Sequence, residues 1–466
     1  MACVGLAAVG GYLGVRFGQI GRVDDIVLQD KVAGEPANFL LVGTDSREGL
    51  DPNDPDAGGL LGATGCECTD TIMVLRVDPD EGHAFLLSFP RDLYLPISGT
   101  GKTDRINTAH AHGEQTLIDT IQDNFDIPIN HYVEIDFVGF EKLVDAAGGV
   151  PMWFDAPVRD LHTGLDVPNA ECQVLDGEQA RKFVRSRYLE YQHADGDWQS
   201  DPTADLGRIT RQQVFVRRAV AKAVSEGLSN PVTLNGLVSA GVANVNFDGL
   251  LDAGDLLSIG RSFAEFDSDE LIGYSIPSEP MRTSGGAQVE LPLMRQAQTA
   301  LNVFRGLPPG TISPEAVEVT VMNGSGTAGQ AADAGRALGA VGFSIVEVGS
   351  YSADDVARTT VFFGDGGEAA ARRVASHLTG GAALEYDADL NDDSMQVTVL
   401  TGADFTTVHD QPSPDGSAEQ ALITTSTVAT SSPEVPASAT TTVPATTTTT
   451  VIGYSTGEPP AGVDCG

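Results

Sequence analysis

Three nearly continuous apolar runs, each ending in polar punctuation, dominate the first hundred residues. Asn38–Gly43 runs into Thr44-Asp45-Ser46-Arg47, Thr71–Val77 stops at Asp78-Pro79, and His83–Phe89 stops at Pro90. Runs of this kind predict central strands covered on both faces. Residues 132–137 predict a fourth strand and residues 269–276 a last one. Between them apolar residues recur at helical spacing: Leu117, Ile118 and Ile121 within 113–124, and Val214, Phe215, Ala219 and Val220 within 209–225. Helices are also expected over 140–147, 176–187 and 292–305, with helical segments over 231–266 and a Gly/Pro/Asp-rich loop over 49–66. Alternating strands and helices imply an α/β sandwich with a mixed central sheet.

Pro308-Pro309 marks a boundary, and a small α/β unit follows. It has strands over 317–322, 344–348, 360–363 and 396–400, and helices over 328–341 and 368–378. Beyond about residue 406 there is no Lys or Arg, and twelve of residues 421–450 are Thr. Such a tail, 406–466, has too little apolar content for a core and is expected to be disordered. At the other end, residues 2–15 are apolar and closed by Arg16. They lack the basic start of a signal peptide and fall short of the roughly 20 residues of a full span. Residues 1–20 therefore read as part of a membrane signal anchor, and 21–36 as a linker.

Composition changes this picture in one respect. The 466 residues carry 27 Lys+Arg against 65 Asp+Glu, a formal charge of −38. That balance argues against nucleic acid as a partner. Yet Arg181, Lys182, Arg185, Arg187, Arg208, Arg211, Arg217, Arg218 and Lys222 gather nine cations within 42 residues. Five cysteines, Cys3, Cys66, Cys68, Cys172 and Cys465, are too few for a disulfide scaffold. For an extracytoplasmic domain, a bridge from Cys66 or Cys68 to Cys172 is one reading and free buried thiols the other.

The candidate chemistry sits at strand ends and in the basic island. Asp45 ends one strand and Asp70 precedes the next, so their carboxylates can meet at one sheet edge and offer hard oxygen ligands to Mg²⁺. Arg91 follows the third strand. Arg185 and Arg187 share a direction only where the backbone is extended. Asp205, Arg208 and Gln212 fall on one helical face. Arginine forks bind phosphate oxygens bidentately, and several beside a divalent ion suit a pyrophosphate. The competing reading is a solvated charged helix with ordinary turn aspartates. His110, His112, His131, His162 and His193 show no ligand pattern and are assigned to fold or surface.

In Phe39–Arg47 (FLLVGTDSR), Thr69–Val74 (TDTIMV), Ser88–Tyr94 (SFPRDLY), Asp104–Asn107 (DRIN), Tyr132–Gly149, Leu175–Arg187 and Gly207–Gln213 the chain resembles the LytR-CpsA-Psr (LCP) family, in the expected order over about residues 36–225. The resemblance implies an LCP-type α-β-α sandwich over 37–307, with its motif core at 37–225, and a LytR C-terminal domain over 315–405. It implies an extracytoplasmic, single-pass membrane enzyme. The expected reaction is Mg²⁺-dependent phosphotransfer (Mn²⁺ as a substitute ion) of a glycopolymer from undecaprenyl pyrophosphate to peptidoglycan. By resemblance, Asp45 and Asp70 hold the metal. Arg91, Arg185, Arg187, Arg208 and Gln212 take the pyrophosphate, and Arg91, Asp205 and Arg208 act in catalysis. Asp205 is either a general base or an orienter of arginines; pairing with Arg208 or Arg211 would make it a weak base. Many members carry an Arg where Cys68 stands. One phosphate contact is therefore absent, or Arg47 or Arg105 replaces it, or a Cys68–Cys172 bridge makes the region structural. The alternatives are a lipid-pyrophosphate hydrolase, or a non-catalytic protein that binds prenyl pyrophosphate or cell wall.

Gly324, Gly326 and Gly329 match G-x-G-x-x-G between a strand and a helix, with Glu347 eighteen residues on. The dinucleotide reading this invites is set against a tight strand-to-helix turn, which fits a unit of this size better.

Overall fold

The computed structural model describes residues 21–31, 35–44, 69–78, 83–229, 231–251, 271–308, 311–353, 355–388, 390 and 395–409, with 457, 459, 460, 463 and 465 near the C-terminus. The expected anchor, Asp45, Arg47, Cys66, Cys68 and most of the Thr-rich tail lie outside these residues. The chain divides into two units, one of residues 1–293, 303–306 and 450–466, the other of 294–302 and 307–449.

In chain order the strands of the first unit are β1 (Gly21–Val23), β2 (Ala37–Thr44), β3 (Thr69–Asp78), β4 (His83–Ser88), β5 (Tyr94–Ile97), β6 (Lys102–Arg105), β7 (His131–Asp136), β8 (Val150–Trp153), β9 (Val158–Asp160), β10 (Leu165–Val167), β11 (Cys172–Leu175), β12 (Glu190–Gln192), β13 (Trp198–Ser200), β14 (Val245–Asp248), β15 (Leu271–Ser275), β16 (Ser278–Arg282) and β17 (Gln288–Pro292). Seven form the central sheet in the order β1-β14-β7-β2-β3-β4-β15. Pairs β1/β14, β7/β2 and β4/β15 are parallel, while β14/β7, β2/β3 and β3/β4 are antiparallel. The mixed sheet inferred from the sequence is therefore present.

Both faces of this sheet are covered, which is why its strands read as unbroken apolar runs. On one face Phe39, Met73, Val77, Ala84, Leu86 and Leu271 pack with Val216 and Val220 of the long helix Ala204–Ser229. On the other, Leu40, Val42, Ile72, Val74 and Tyr132 are buried, as are Leu117, Ile118, Ile121 and Phe125 of helix Glu114–Phe125. Phe125 meets Phe89 edge-on, with ring centroids 5.1 Å apart. Each such fully buried aliphatic side chain contributes about 1.5–3 kcal/mol. Helices Phe137–Ala146 and Gly177–Arg185 are capped by Asp136 and Asp176, which accept from Gly139 N (2.6 Å) and Gln179 N (2.9 Å).

Three features correct the sequence reading. The expected linker contains β1, which extends the sheet alongside β14; Arg22 Nη1 donates to the carbonyls of Asp248 (2.6 Å) and Leu251 (2.8 Å). Three residues carry too little periodicity to announce an edge strand. Residues 245–248, expected to be helical, form β14. Finally, Cys172 is disulfide-bonded to Cys465, 293 residues away, and not to Cys66 or Cys68. Disulfide connectivity follows three-dimensional proximity, which spacing does not encode. Beside the bridge, Gly457 and Trp153 exchange backbone hydrogen bonds (Gly457 N to Trp153 O, 2.7 Å; the reverse, 3.2 Å). Among the described residues, no helix is long and apolar enough to cross a membrane.

The second unit holds a five-stranded sheet built of β18 (Glu318–Asn323), β19 (Ser344–Ser350), β20 (Thr360–Phe363), β21 (Ala383–Tyr386) and β22 (Gln396–Thr401), in the order β19-β18-β22-β20-β21. Helices Gln330–Val341 and Glu368–Ala375 pack on it through Ala334, Leu338, Ala371 and Val374. The glycine motif is a turn: Ser325 N donates to Asn323 Oδ1, Asn323 Nδ2 donates to Thr327 O, and Gly326 and Gly329 have φ of +72° and +83°. A Cβ on Gly324 would lie 2.8 Å from Val356. Positive φ thus accounts for Gly326 and Gly329, and crowding by the Val356 side chain for Gly324.

Candidate active site

Asp70 owes its position to a fault in strand pairing. β2 and β3 run in register as far as Gly43 opposite Thr71, and then Thr44 pairs with Thr69. Asp70 is the extra residue, and a bulge re-aims the side chain at a sheet edge. Arg91, placed just beyond β4 by Phe89-Pro90, donates Nη1–H to Asp70 Oδ1. Burial alone would raise the Asp70 pKa, but the nearby Arg91, Arg208 and Arg187 guanidiniums outweigh it and hold the carboxyl below the usual aspartate value.

The basic island supplies the other wall. Helix Gly177–Arg185 ends at Ser186, whose φ of −60° and ψ of 125° are extended. Arg187 therefore leaves the helix, meeting the condition for it to act with Arg185. Asp205, in the first turn of Ala204–Ser229, takes Arg187 Nε at 3.1 Å and Arg208 Nη2 at 3.1 Å. Arg208 is almost wholly buried, and that burial pushes its pKa down to about 10 despite Asp205. Arg91 Nε, Arg187 Nη2 and Arg208 Nε are buried with no hydrogen-bond acceptor among the described residues. Buried donors without acceptors are uncommon; Arg105, Arg211 and Arg373 each carry such an Nε as well, and what sets Arg91, Arg187 and Arg208 apart is that they gather around Asp70 and Asp205. Arg185 stacks over Phe137, its Cζ 4.5 Å from the ring centroid. Gln212 Nε2 donates to Thr71 Oγ1 and Val184 O, both at 3.1 Å, tying the long helix to β3 and to the basic helix.

Of these groups, Asp70, Arg185, Arg208 and Gln212 line a cavity of about 370 Å³. Its walls are Leu41, Met73, Val133, Ile135, Phe140, Phe215, Val216 and Phe247, and its polar lining is confined to Asp70, Thr71, Asp136, Arg185, Arg208 and Gln212. An adjoining apolar cleft of about 270 Å³ shares Phe140, Leu143, Phe215 and Val216 and continues to Ala219, Val220 and Leu237. No sequence run foretells this space, because its lining comes from four strands and four helices.

Two expectations fare differently. Arg211 does not pair with Asp205. Its Nη1 donates to Asp201 Oδ2 at 2.9 Å and its Nη2 to Ser186 O at 2.8 Å, both buried. Ser186 Oγ in turn donates to Asp160 Oδ2 at 2.6 Å. Asp160, Ser186 and Asp201 hold the Arg185–Arg187 segment in place and escaped the sequence reading. The one available signal was Gly207 three residues after Ala204: a Cβ there would meet Asp201 Oδ2 at 2.7 Å and Arg211 Nη1 at 3.0 Å. Arg105 does not join the cluster either. It pairs with Asp92 at 3.1 Å and donates Nη2–H to Gln288 O at 2.7 Å. Of the expected metal pair, Asp70 is in the site and Asp45 lies outside the described residues.

A mixed sheet carrying a cluster of arginines and a carboxylate above an apolar cavity defines a class of site for an amphiphilic anion. Residues 21–302 match the LytR-CpsA-Psr family and 316–405 match the LytR cell envelope-related transcriptional attenuator domain, so the chain belongs to the LytR-CpsA-Psr family. It is 36% identical over 226 residues to a probable cell wall biosynthesis protein, LcpB, of Corynebacterium glutamicum, a match covering 48% of this chain and 51% of that one. It is 31% identical over 242 residues, 51% of this chain and 71% of the relative, to a polyisoprenyl-teichoic acid–peptidoglycan teichoic acid transferase, TagU, of Enterococcus faecalis. A LytR-Csp2A-Psr enzyme from Actinomyces oris superimposes with a TM-score of 0.49 at 24% identity, over 63% of this chain and 97% of that one.

Proposed function

We propose that the protein transfers a glycopolymer from a polyprenyl-pyrophosphate carrier to peptidoglycan on the outer side of the cytoplasmic membrane. The observation that carries this reading is the joining of two environments: an apolar cavity with Arg185 and Arg208 in its lining, and a cluster in which Arg208 meets Asp205 and Arg187 while Arg91 meets Asp70. A prenyl chain suits the first and a pyrophosphate the second. The relative named as a teichoic acid–peptidoglycan transferase supports the same reaction class. The Cys172–Cys465 bridge supports an oxidising compartment, and an anchor in residues 1–20 would hold the enzyme at its lipid substrate.

In this reaction an acceptor hydroxyl oxygen attacks the polymer-bearing phosphorus. The new P–O bond forms as the bond to the bridging oxygen breaks, polyprenyl phosphate leaves, and the hydroxyl proton passes to solvent. Arg91, Arg187 and Arg208 stabilise charge spreading over the phosphoryl oxygens and the leaving phosphate. Arg185, steadied on Phe137, is set to contact the outer phosphate. Asp205, held by two guanidiniums, orients Arg187 and Arg208. Asp70 fits a hard divalent ion: it is kept ionised, and among the described residues only Oδ1 is engaged, by Arg91. Together with Asp45 it would hold Mg²⁺, with Mn²⁺ as a substitute, which when bound neutralises pyrophosphate charge.

The test is incubation with a polyprenyl-pyrophosphate glycan, peptidoglycan and Mg²⁺. Polymer covalently joined to peptidoglycan is expected. Release of soluble sugar phosphate would indicate hydrolysis instead, and tight binding with neither product would indicate a carrier-binding protein.

A further inference from the structure

We propose a second divalent-metal site, distinct from the carboxylate at Asp70, made of His110, Glu114 and Glu134. The His110 ring nitrogen and the two carboxylates bring ligand atoms within 4.8 Å of one another, although they come from three different elements. His110 lies on the 3-10 turn His110–His112, Glu114 opens helix Glu114–Phe125, and Glu134 is the fourth residue of β7. Gly113, with φ of +110°, turns the chain between the first two so that both reach one point. Spacing alone concealed the site, since His110 and Glu114 are four apart but not on one helix.

The donor chemistry favours a borderline ion such as Zn²⁺. One imidazole and two carboxylates form a mixed nitrogen–oxygen set that leaves a position open for water. His110 Nε2 lies 3.0 Å from Glu134 Oε2, and Tyr132 donates its hydroxyl to the same oxygen at 2.7 Å. Asn246 also hydrogen-bonds Glu134. Outer partners of this kind fix the orientation of a ligating carboxylate. The Glu134 carboxyl is held by His110, Tyr132 and Asn246, which keep it ionised against its burial. Two carboxylates thus face one imidazole, and a dication balances them. His110 and Glu134 side chains are only 10% and 16% exposed, so a bound ion would be largely withdrawn from water.

The site lies on the opposite sheet face from the apolar cavity. Tyr132 and Glu134 alternate along β7 with Val133 and Ile135, which line that cavity. The 3-10 turn just before it, Ile106–Thr108, is tied to the catalytic edge, since Asn107 N donates to Arg91 O (3.2 Å) and Ile106 N to Leu93 O (2.8 Å). An ion here would clamp the segment that carries Arg91 to the central sheet.

The experiment is titration of chelator-treated full chain with Zn²⁺ alone, followed by calorimetry, with Co²⁺ absorption as a spectroscopic check. The intact protein and Asp70→Asn are expected to bind one equivalent at this site with equal affinity, apart from any ion held at Asp70 in the intact protein, and to give a Co²⁺ ligand-field band. His110→Ala and Glu114→Gln should weaken binding by about 100-fold or more and lose the band. Circular dichroism of Glu114→Gln, which preserves shape, establishes that the fold is kept. Absence of binding to the folded intact protein would overturn the proposal. So would binding unchanged in both ligand variants, or binding lost in Asp70→Asn alone.

Discussion

Arg211 and Asp201 form a buried ion pair whose side chains are 2% and 1% exposed, and the pair does not touch the cavity. Its importance lies in what Arg211 holds with its other nitrogen, the carbonyl of Ser186. That residue turns the chain from Arg185 to Arg187. Removing one partner of such a pair strands a buried charge. Arg211→Ala is therefore expected to lower unfolding free energy by about 3–5 kcal/mol. Denaturant titration of the disulfide-intact protein measures it, and a loss within experimental error of zero would show that the pair is not structural.

Arg208 should behave in the opposite way. Burial disfavours its charge, pushing its pKa to about 10, so the protein without ligand carries a cost there that a bound phosphate relieves. Arg208→Gln is expected to leave the melting temperature unchanged or raise it, while transfer falls about 10²–10³-fold. Parallel loss of both would mean that Arg208 is a scaffold residue.

Asp70 gives a pH signature. Its folded pKa lies below the ordinary 3.8, so its contribution to stability is complete above about pH 4 and is lost as pH falls through the lowered folded value. Asp70→Asn removes that contribution. Acid unfolding curves of the two proteins are expected to converge at the lowest pH and separate as pH rises. Asp70→Ala should also abolish transfer, and full activity would refute its assignment to the metal.

The cavity predicts a chain-length effect. Ile135→Trp places an indole among Val133, Phe140 and Phe247 and should weaken binding of a long polyprenyl donor at least about tenfold. A donor with a single short prenyl unit should be affected little. Equal weakening of both would indicate a general distortion of the site.

How far the sequence revealed all this depends on where the causes lie. β2, β3 and β4 were legible because burial on both faces leaves an unbroken apolar run. Arg187 was legible conditionally, and the extended backbone at Ser186 met the condition. Asp201 and Asp160 were not, because a buried aspartate in a turn looks like any turn aspartate until its partner is in place. The pairing of Cys172 was misread for the same reason, as was the partner of Arg211. His110 was set aside as fold or surface because its companion Glu134 lies 24 positions away. The apolar cavity has no linear signal at all, since neighbouring lining residues such as Leu41, Val133 and Phe215 belong to separate elements.

The Cys172–Cys465 bond turns the chain between these two positions into a covalent ring that includes the whole C-terminal unit. Peptide mapping without reductant should recover the two cysteines in one cross-linked fragment. A single protease cut anywhere in the ring, the Thr-rich stretch included, opens it without releasing a fragment. With the bond intact the C-terminal unit would be released only after two cuts within the ring, whereas after reduction a single cut would be enough.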